Sequence, residues 1–209
     1  MSRHNPQHDI TGLLKAAETW KSQCLLRDRA LLDDAGQYWN YENLQELDSR
    51  FIQSPQEGGG RYFDKLALQL ADASPEAIKL MAELNWLLVL FSTNVRPDTK
   101  RGLVRNIWEL TNEKMPKSSL LEDATLSGAG STGTGYNTHR WRELAFLIKM
   151  MKAFKALAAD DQRLRLVEEP WTFAEWIGGI PDANARQFRH IVCFLLFPDS
   201  NLRYSQHLR

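Results

Sequence analysis

The stretch that most constrains this chain is 75–91, with the sequence PEAIKLMAELNWLLVLF. Apolar residues recur there at the three- and four-residue spacing of a helix face, at Ile78, Met81, Leu84, Leu88 and Phe91. The other side of its C-terminal half is also apolar, which predicts a helix buried on all sides. A membrane span needs about 18 or more consecutive apolar residues, and this run is shorter and interrupted. We therefore expect a central helix, capped by Ser74, that other helices surround.

The remaining apolar segments also repeat with helical spacing, and we find no sustained alternation with hairpin turns. The sequence therefore predicts an all-α fold of about eight to ten helices, a compact multi-helix domain with no significant sheet. Helices are expected over residues 10–32 and from about 138 to 159, the second capped by Asn137 or Thr138. Another helix is expected to open at Pro97 and to bury Val104, Ile107 and Trp108.

Two glycine-rich segments interrupt the helical pattern. Residues 54–60, SPQEGGG, predict a flexible loop, so residues 1–60 are expected to form an N-terminal helical segment and residues 61–209 a helical core. Residues 126–139 form the second segment, in which Gly128 to Gly133 match G-x-G-x-x-G. A dinucleotide site requires a preceding strand and a βαβ unit, which the sequence does not show. A tightly turning connection is the plainer interpretation, and backbone N–H groups that contact a phosphate or carboxylate are the alternative.

The charge balance limits the kinds of partner that the chain can bind. Lys and Arg together number 26, and Asp and Glu together number 26, so the formal net charge is zero. Neutrality argues against a generic polyanion binder but allows a local basic face. Cys24 and Cys193 lie in apolar helical patterns and are expected to be buried thiols in a reducing compartment. Because the N-terminus lacks the apolar region of a signal peptide, a cytoplasmic location is expected.

The densest basic cluster lies between residues 96 and 117 and contains Arg96, Lys100, Arg101, Arg105, Lys114 and Lys117. Lys100, Arg101 and Arg105 are expected to face outward, where they would suit contact with a phosphate backbone. A solvated helix face is an equally good interpretation. In that case Asp98, Glu109 and Glu113 would partly neutralise the cluster.

Aromatic and basic residues alternate at the end of the second glycine-rich segment. Tyr136 and Trp141 lie beside basic residues in positions suited to stacking on a base. Trp141 also falls on the apolar face of the predicted helix, so core packing is the better expectation for it. The predicted nucleic-acid contacts are Arg96, Lys100, Arg101, Arg105, Lys117, Tyr136, His139, Arg140 and Arg142.

The sequence shows no pattern for metal binding or catalysis. The five histidines and two cysteines lack the spacing of zinc ligands, and no nucleophile elbow is visible. We therefore expect no catalytic residue, no metal and no cofactor, and a chain that is not an enzyme by itself.

Three stretches within residues 62–209 carry a family resemblance. They are AELNWLLVLFSTNVRPDTKRGLVRNIWEL, GAGSTGTGYNTHRWRELAFLI and FRHIVCFLLFPDSNLRYSQHLR. Together they resemble the N-terminal region of McrB-like AAA+ ATPases/GTPases of bacterial restriction and anti-phage defence. The resemblance implies a module that recognises a target, commonly DNA with modified bases, beside an AAA+ motor and a McrC-like nuclease. Walker motifs are missing here, so the C-terminal helix would lead toward a motor domain that this sequence lacks.

Two functions follow as expectations. The first is the target-recognition module of a McrB-like restriction system, which binds plain or modified DNA through a basic surface. The alternative is a protein-interaction or assembly module that docks a motor, a nuclease or a phage protein, and the neutral charge favours it. Neither function involves a membrane.

Overall fold

The computed structural model describes residues 3–4, 9–56, 59–157 and 160–200 of the chain. Its α-helices are α1 (Thr11–Thr19), α2 (Tyr41–Leu47), α3 (Tyr62–Gln69), α4 (Pro75–Leu90), α5 (Pro97–Trp108), α6 (Asp123–Leu126), α7 (Gly133–Thr138), α8 (Arg140–Lys155), α9 (Asp160–Glu168), α10 (Pro170–Gly178) and α11 (Phe188–Leu196). Short π-helical segments, Trp20–Leu25 and Asp48–Ile52, extend α1 and α2. The predicted all-α class is confirmed for the described residues.

Helix α4 is the central element, as its sequence predicts. Every residue from Ala77 to Leu90 is buried, and the Ser74 hydroxyl accepts a hydrogen bond from the Ala77 amide at 3.2 Å. Helices α2, α5 and α8 pack directly against it. One hydrophobic core includes residues from both predicted segments, 1–60 and 61–209, and the boundary between them stays a prediction.

The helix expected over residues 10–32 ends at Leu25, so the prediction is wrong for residues 26–32. The Lys155 ammonium donates to the carbonyls of Cys24 and Leu25, at 2.6 and 2.7 Å, and pairs with Asp28. A buried cation thus satisfies the carbonyl groups that a helix end leaves unpaired. Asp28 adopts a left-handed φ of 58°, which prevents the helix from continuing.

The segment after this turn is held by a carboxylate on α4. The buried Glu83 accepts hydrogen bonds from the amides of Leu31 and Leu32, the shorter at 2.8 Å, and from the Trp39 indole at 2.6 Å. Burial raises the pKa of Glu83 to about 7. These bonds fix residues 31–39 in a non-helical path on α4, a long-range effect that local spacing does not predict.

The only strands among the described residues are two residues long. Arg3–His4 pairs with Gly130–Ser131 in antiparallel register, so the structure has no extended sheet there. Cys24 and Cys193 are free thiols and buried, as predicted. No helix in the described part of the chain is long and apolar enough to cross a membrane.

Candidate functional site

The nine predicted nucleic-acid contacts fall into three groups by exposure. Exposed side chains are Arg96, Arg105, Lys117, His139 and Arg142, half-buried ones are Arg101 and Arg140, and buried ones are Lys100 and Tyr136. Only the first two groups are accessible to a ligand, so two of the nine predictions need correction.

The prediction that Lys100 faces outward is wrong, since its side chain is fully buried. Its ammonium donates to the carbonyls of Leu90, at 3.1 Å, and Leu126, at 2.7 Å, which end α4 and α6. Burial lowers the pKa of Lys100 to about 7. The sequence held a signal for this placement, because Lys100 precedes Val104 and Ile107 by four and seven residues on one helix face.

Tyr136 is also wrong as a base-stacking residue, because it is buried. Its hydroxyl donates to the Leu88 carbonyl at 2.7 Å. Leu88 lies in the last turn of α4, where carbonyls lack helical partners. Tyr136 therefore fixes α7 on the end of the central helix.

The second glycine-rich segment forms a tight connection across the end of α4, as the plainer interpretation predicts. The amides of Ala129 and Gly130 both donate to the Phe91 carbonyl, at 2.8 and 3.1 Å. At Gly128, with φ of 86°, an added Cβ would lie 2.6 Å from the Ser92 carbonyl oxygen. The Ala129 and Gly130 amides are already bonded within the protein, so these two do not offer the anion contact that was the alternative interpretation.

The basic groove is an open depression of about 690 Å³ beside the C-terminal half of α5. Its charged lining residues are Arg101, Arg105, Lys114 and Lys117 together with Glu109, Glu122 and Asp123. Arg101 pairs with Asp98 and Asp123 and donates to the Leu121 carbonyl. Its charge is therefore neutralised within the groove.

The other groove cations have no such partners. Arg105, Lys114 and Lys117 make no hydrogen bond or ion pair through their side chains with another described residue. Glu113, which the sequence offered as a neutralising neighbour, pairs instead with Lys79 at 2.8 Å. Three cations of the predicted cluster thus remain available on one groove, although Glu109 and Glu122 lie beside them.

A second depression, the cleft, encloses about 930 Å³ between α3, the α7–α8 junction and the segment after α2. It shares no described lining residue with the basic groove. Its described lining residues are Phe51, Ile52, Pro55, Gln56, Gly60, Tyr62, Lys65, Leu66, Gln69, Asn137, Thr138, Arg140, Trp141 and Ala145. Sequence analysis did not predict this cleft, because its walls come from segments about 70 residues apart in the chain.

Hydrogen bonds brace the α3 wall of the cleft. The Tyr62 hydroxyl donates to the Asn85 side-chain oxygen at 2.9 Å, and Asn85 in turn donates to the Met81 carbonyl within α4. The Gln69 amide donates to three backbone carbonyls of residues 50–54, at 3.1 to 3.3 Å. Helix α3 and residues 50–54, which line this side of the cleft, are therefore held in place by hydrogen bonds within the protein.

Arg140 and Trp141 form the opposite wall. The Arg140 guanidinium lies 5.8 Å from the centroid of the Tyr62 ring, and its Nε is buried without a hydrogen-bond partner. The core packing expected for Trp141 is wrong, because half of this side chain is exposed. Helical side chains lean toward the N-terminus, so a residue in the first turn of α8 projects past the core.

The start of α8 also differs from prediction. Asn137 and Thr138 belong to the short helix α7, where the Thr138 hydroxyl donates to the Thr134 carbonyl. Helix α8 begins after His139, which makes no side-chain capping bond. The Asn137 amide donates to the Gly133 carbonyl at 3.5 Å, while its oxygen is buried without a partner.

Among the described residues, no three His, Cys, Asp or Glu side chains lie close enough together to hold a metal ion. Comparisons with protein-family models, curated proteins and solved structures found no match to the chain. The resemblance to McrB-like N-terminal regions therefore rests on the three sequence stretches alone. The site must be interpreted from its own geometry, as a cationic groove and a separate aromatic cleft.

Proposed function

We propose that the chain is a non-catalytic recognition module that contacts the phosphates of nucleic acid through the basic groove. The observation that supports this most is the pairing of neighbouring acids with other cations. Asp98 and Asp123 engage Arg101, and Glu113 engages Lys79, so the charges of Arg105, Lys114 and Lys117 stay unpaired. Exposed, unpaired Arg and Lys are the groups that displace counterions from a phosphate backbone.

The number of unpaired cations in the groove sets the expected affinity for nucleic acid. Three cations that each neutralise a phosphate give a slope of log affinity against log salt of about −3. Glu109 and Glu122 weaken the attraction further. We therefore expect weak, salt-sensitive and largely sequence-independent binding, in which base identity is not read by these side chains.

The experiment measures binding of a labelled DNA duplex, plain and base-modified, by fluorescence anisotropy. The double variant Arg105→Glu/Lys117→Glu should weaken binding on the order of 100-fold at low salt, because it reverses two charges. Arg27→Glu/Lys15→Glu is the matched control, since it makes the same charge change at exposed residues outside the groove. Equal losses in both variants would show that net charge alone matters and would contradict the proposal.

Protein docking is the second candidate function, and exposed apolar residues on the α9–α10 pair favour it. Trp171 is 65% exposed and Leu164 is 44% exposed. The AAA+ motor and McrC-like nuclease implied by the resemblance are the proposed partners, in the bacterial cytoplasm. The test is co-purification of the chain with such a motor. The Trp171→Ala variant should lose this co-purification, and the Trp141→Ala variant should keep it.

A further inference from the structure

We propose that the cleft between α3 and α8 binds a small anion that contains a planar aromatic ring, of the nucleoside monophosphate class. The proposal goes beyond the groove and does not require it. It rests on the charge, the unpaired polar atoms, the ring surfaces and the bracing of the cleft.

The charge of the cleft favours an anion. Arg140 lines it, as does Lys65, which donates to the Gln56 carbonyl at 3.4 Å, and none of its described lining residues is a carboxylate. Arg140 lies against the ring of Tyr62 and not against an acid. An arginine without a carboxylate partner retains its capacity for bidentate bonding to a phosphate.

Two buried polar atoms on the α7–α8 side lack partners. They are Nε of Arg140, which is a donor, and the side-chain oxygen of Asn137, which is an acceptor. Buried polar atoms are nearly always hydrogen-bonded, so two unpaired ones on residues that line the same cleft favour a polar ligand there. A phosphate oxygen satisfies the arginine, and a ring N–H or exocyclic amine satisfies the asparagine.

The ring surfaces of the cleft favour an aromatic ligand. Arg142 covers Trp141 with its guanidinium 5.1 Å from the ring centroid, while half of the Trp141 side chain remains exposed. Ile52, Leu66 and Ala145 add apolar surface to the same cleft. Bases stack on exposed aromatic side chains of this kind at nucleic-acid sites.

The size and bracing of the cleft favour a free, small ligand. Its volume of about 930 Å³ falls within the range of about 300–1,000 Å³ for small-molecule sites. Tyr62 and Gln69 are held by their own hydrogen bonds to Asn85 and to residues 50–54. A wall fixed in advance reduces the ordering cost of binding.

The test is calorimetric titration of the full chain with each of the four common nucleoside monophosphates, their nucleosides, and inorganic phosphate. We expect at least one monophosphate to bind at least about tenfold more tightly than its nucleoside and than inorganic phosphate. Arg140→Gln, which removes the charge and keeps a polar side chain, should weaken that binding about tenfold or more. Trp141→Ala should weaken it about fivefold or more.

Matched controls separate the cleft from the rest of the surface. Trp171→Ala removes another exposed tryptophan, and Arg105→Gln removes a groove cation, so both should bind the monophosphate as the unmodified chain does. Thermal unfolding of each variant checks that it is folded. If Arg140→Gln does not fold, Trp141→Ala decides the outcome, because this half-exposed side chain contributes little to the core.

Three results would overturn the proposal. They are no saturable binding of any monophosphate, unchanged affinity in Arg140→Gln and Trp141→Ala, and binding of a single-stranded oligonucleotide without binding of free monophosphates. The groove is tested separately by Arg105→Glu/Lys117→Glu. Loss of duplex binding with retained monophosphate binding supports both proposals, whereas duplex binding without monophosphate binding defeats this one alone.

Discussion

The groove and the cleft both contain arginine, but they differ in what lies against it. In the groove, Arg101 is held by Asp98 and Asp123, and these two carboxylates neutralise its charge. In the cleft, Arg140 is held against the ring of Tyr62, and its charge remains available. The comparison shows that the positions of acidic side chains, more than the number of basic residues along the chain, decide which cations stay unpaired.

The two regions also differ in how they are supported. The groove is bordered by the irregular segment between α5 and α6, with a lining of charged side chains. The cleft is tied to the central helix through the Tyr62–Asn85 hydrogen bond. We therefore expect the groove to select for charge and the cleft to select for shape as well.

The largest expected effect concerns Lys100, which the sequence predicted to be an exposed nucleic-acid contact and which the fold buries. Its pKa in the folded chain is about 7, below the ordinary value of 10.5, so between these values the unfolded chain binds more protons. Stability from this site is therefore complete above about pH 10.5 and is lost progressively as the pH falls from there to about 7. Relative to Lys100→Met, the unmodified chain should gain up to about 1.4 kcal/mol per pH unit above pH 7.

Urea unfolding of both chains between pH 7 and pH 9 measures this difference, with the exposed Lys114→Met as control. Lys100→Met should leave duplex binding unchanged, because its ammonium contacts only backbone carbonyls. A pH-independent difference in stability would contradict the burial of the Lys100 ammonium. Weakened duplex binding by a folded Lys100→Met variant would support Lys100 as a nucleic-acid contact.

The next largest expected effect is on the salt dependence of ligand binding, which should differ between the groove and the cleft. Between about 50 and about 200 mM salt, duplex affinity should fall on the order of 50-fold, because about three phosphates are neutralised. Monophosphate affinity should fall less than about threefold, since one arginine and a stacked ring provide most of it. Anisotropy and calorimetry at matched salt concentrations measure both slopes, and equal slopes would remove the distinction between the regions.

Loosening one wall of the cleft should have an intermediate effect. Tyr62→Phe leaves the buried Asn85 oxygen without its donor and should cost about 1–2 kcal/mol of unfolding free energy. Monophosphate affinity should fall with it, while duplex affinity should not. Tyr41→Phe, at a 40% exposed tyrosine, is the control. Unchanged monophosphate affinity in Tyr62→Phe would show that bracing from α4 is irrelevant to the cleft.

The smallest effect is expected at Arg142, whose guanidinium covers Trp141 from outside the lining of the cleft. An exposed cation–π contact contributes about 0.5–1 kcal/mol. Arg142→Gln should therefore weaken monophosphate binding less than about fivefold in the calorimetric titration. A loss as large as that of Arg140→Gln would identify Arg142, not Arg140, as the main phosphate contact.

The parts of the fold that sequence predicted are those that depend on local pattern. The periodicity of residues 75–91, the Ser74 cap and the start of α5 at Pro97 are all confirmed. The helix expected over residues 10–32 is wrong after Leu25 because Lys155 and Glu83, distant in sequence, bind the chain at and beyond that residue. Long-range hydrogen bonds override local helical spacing at such positions.

The candidate sites were less predictable, for distinct physical reasons. The burial of Lys100 could have been predicted, since its spacing to Val104 places it on the buried face of α5. Trp141 followed the apolar pattern but lies in the first turn of its helix, where side chains lean past the core. The cleft joins residues 51–69 with residues 137–145, and no local pattern links those segments.

One titration tests the central claim, that groove and cleft are separate sites, most directly. A labelled duplex is titrated into the chain with and without a saturating monophosphate, and bound monophosphate is measured in parallel. We predict that the dissociation constant of the duplex changes less than about twofold and that both ligands bind together. Displacement of one ligand by the other would contradict the claim, because it would place both ligands on a single surface.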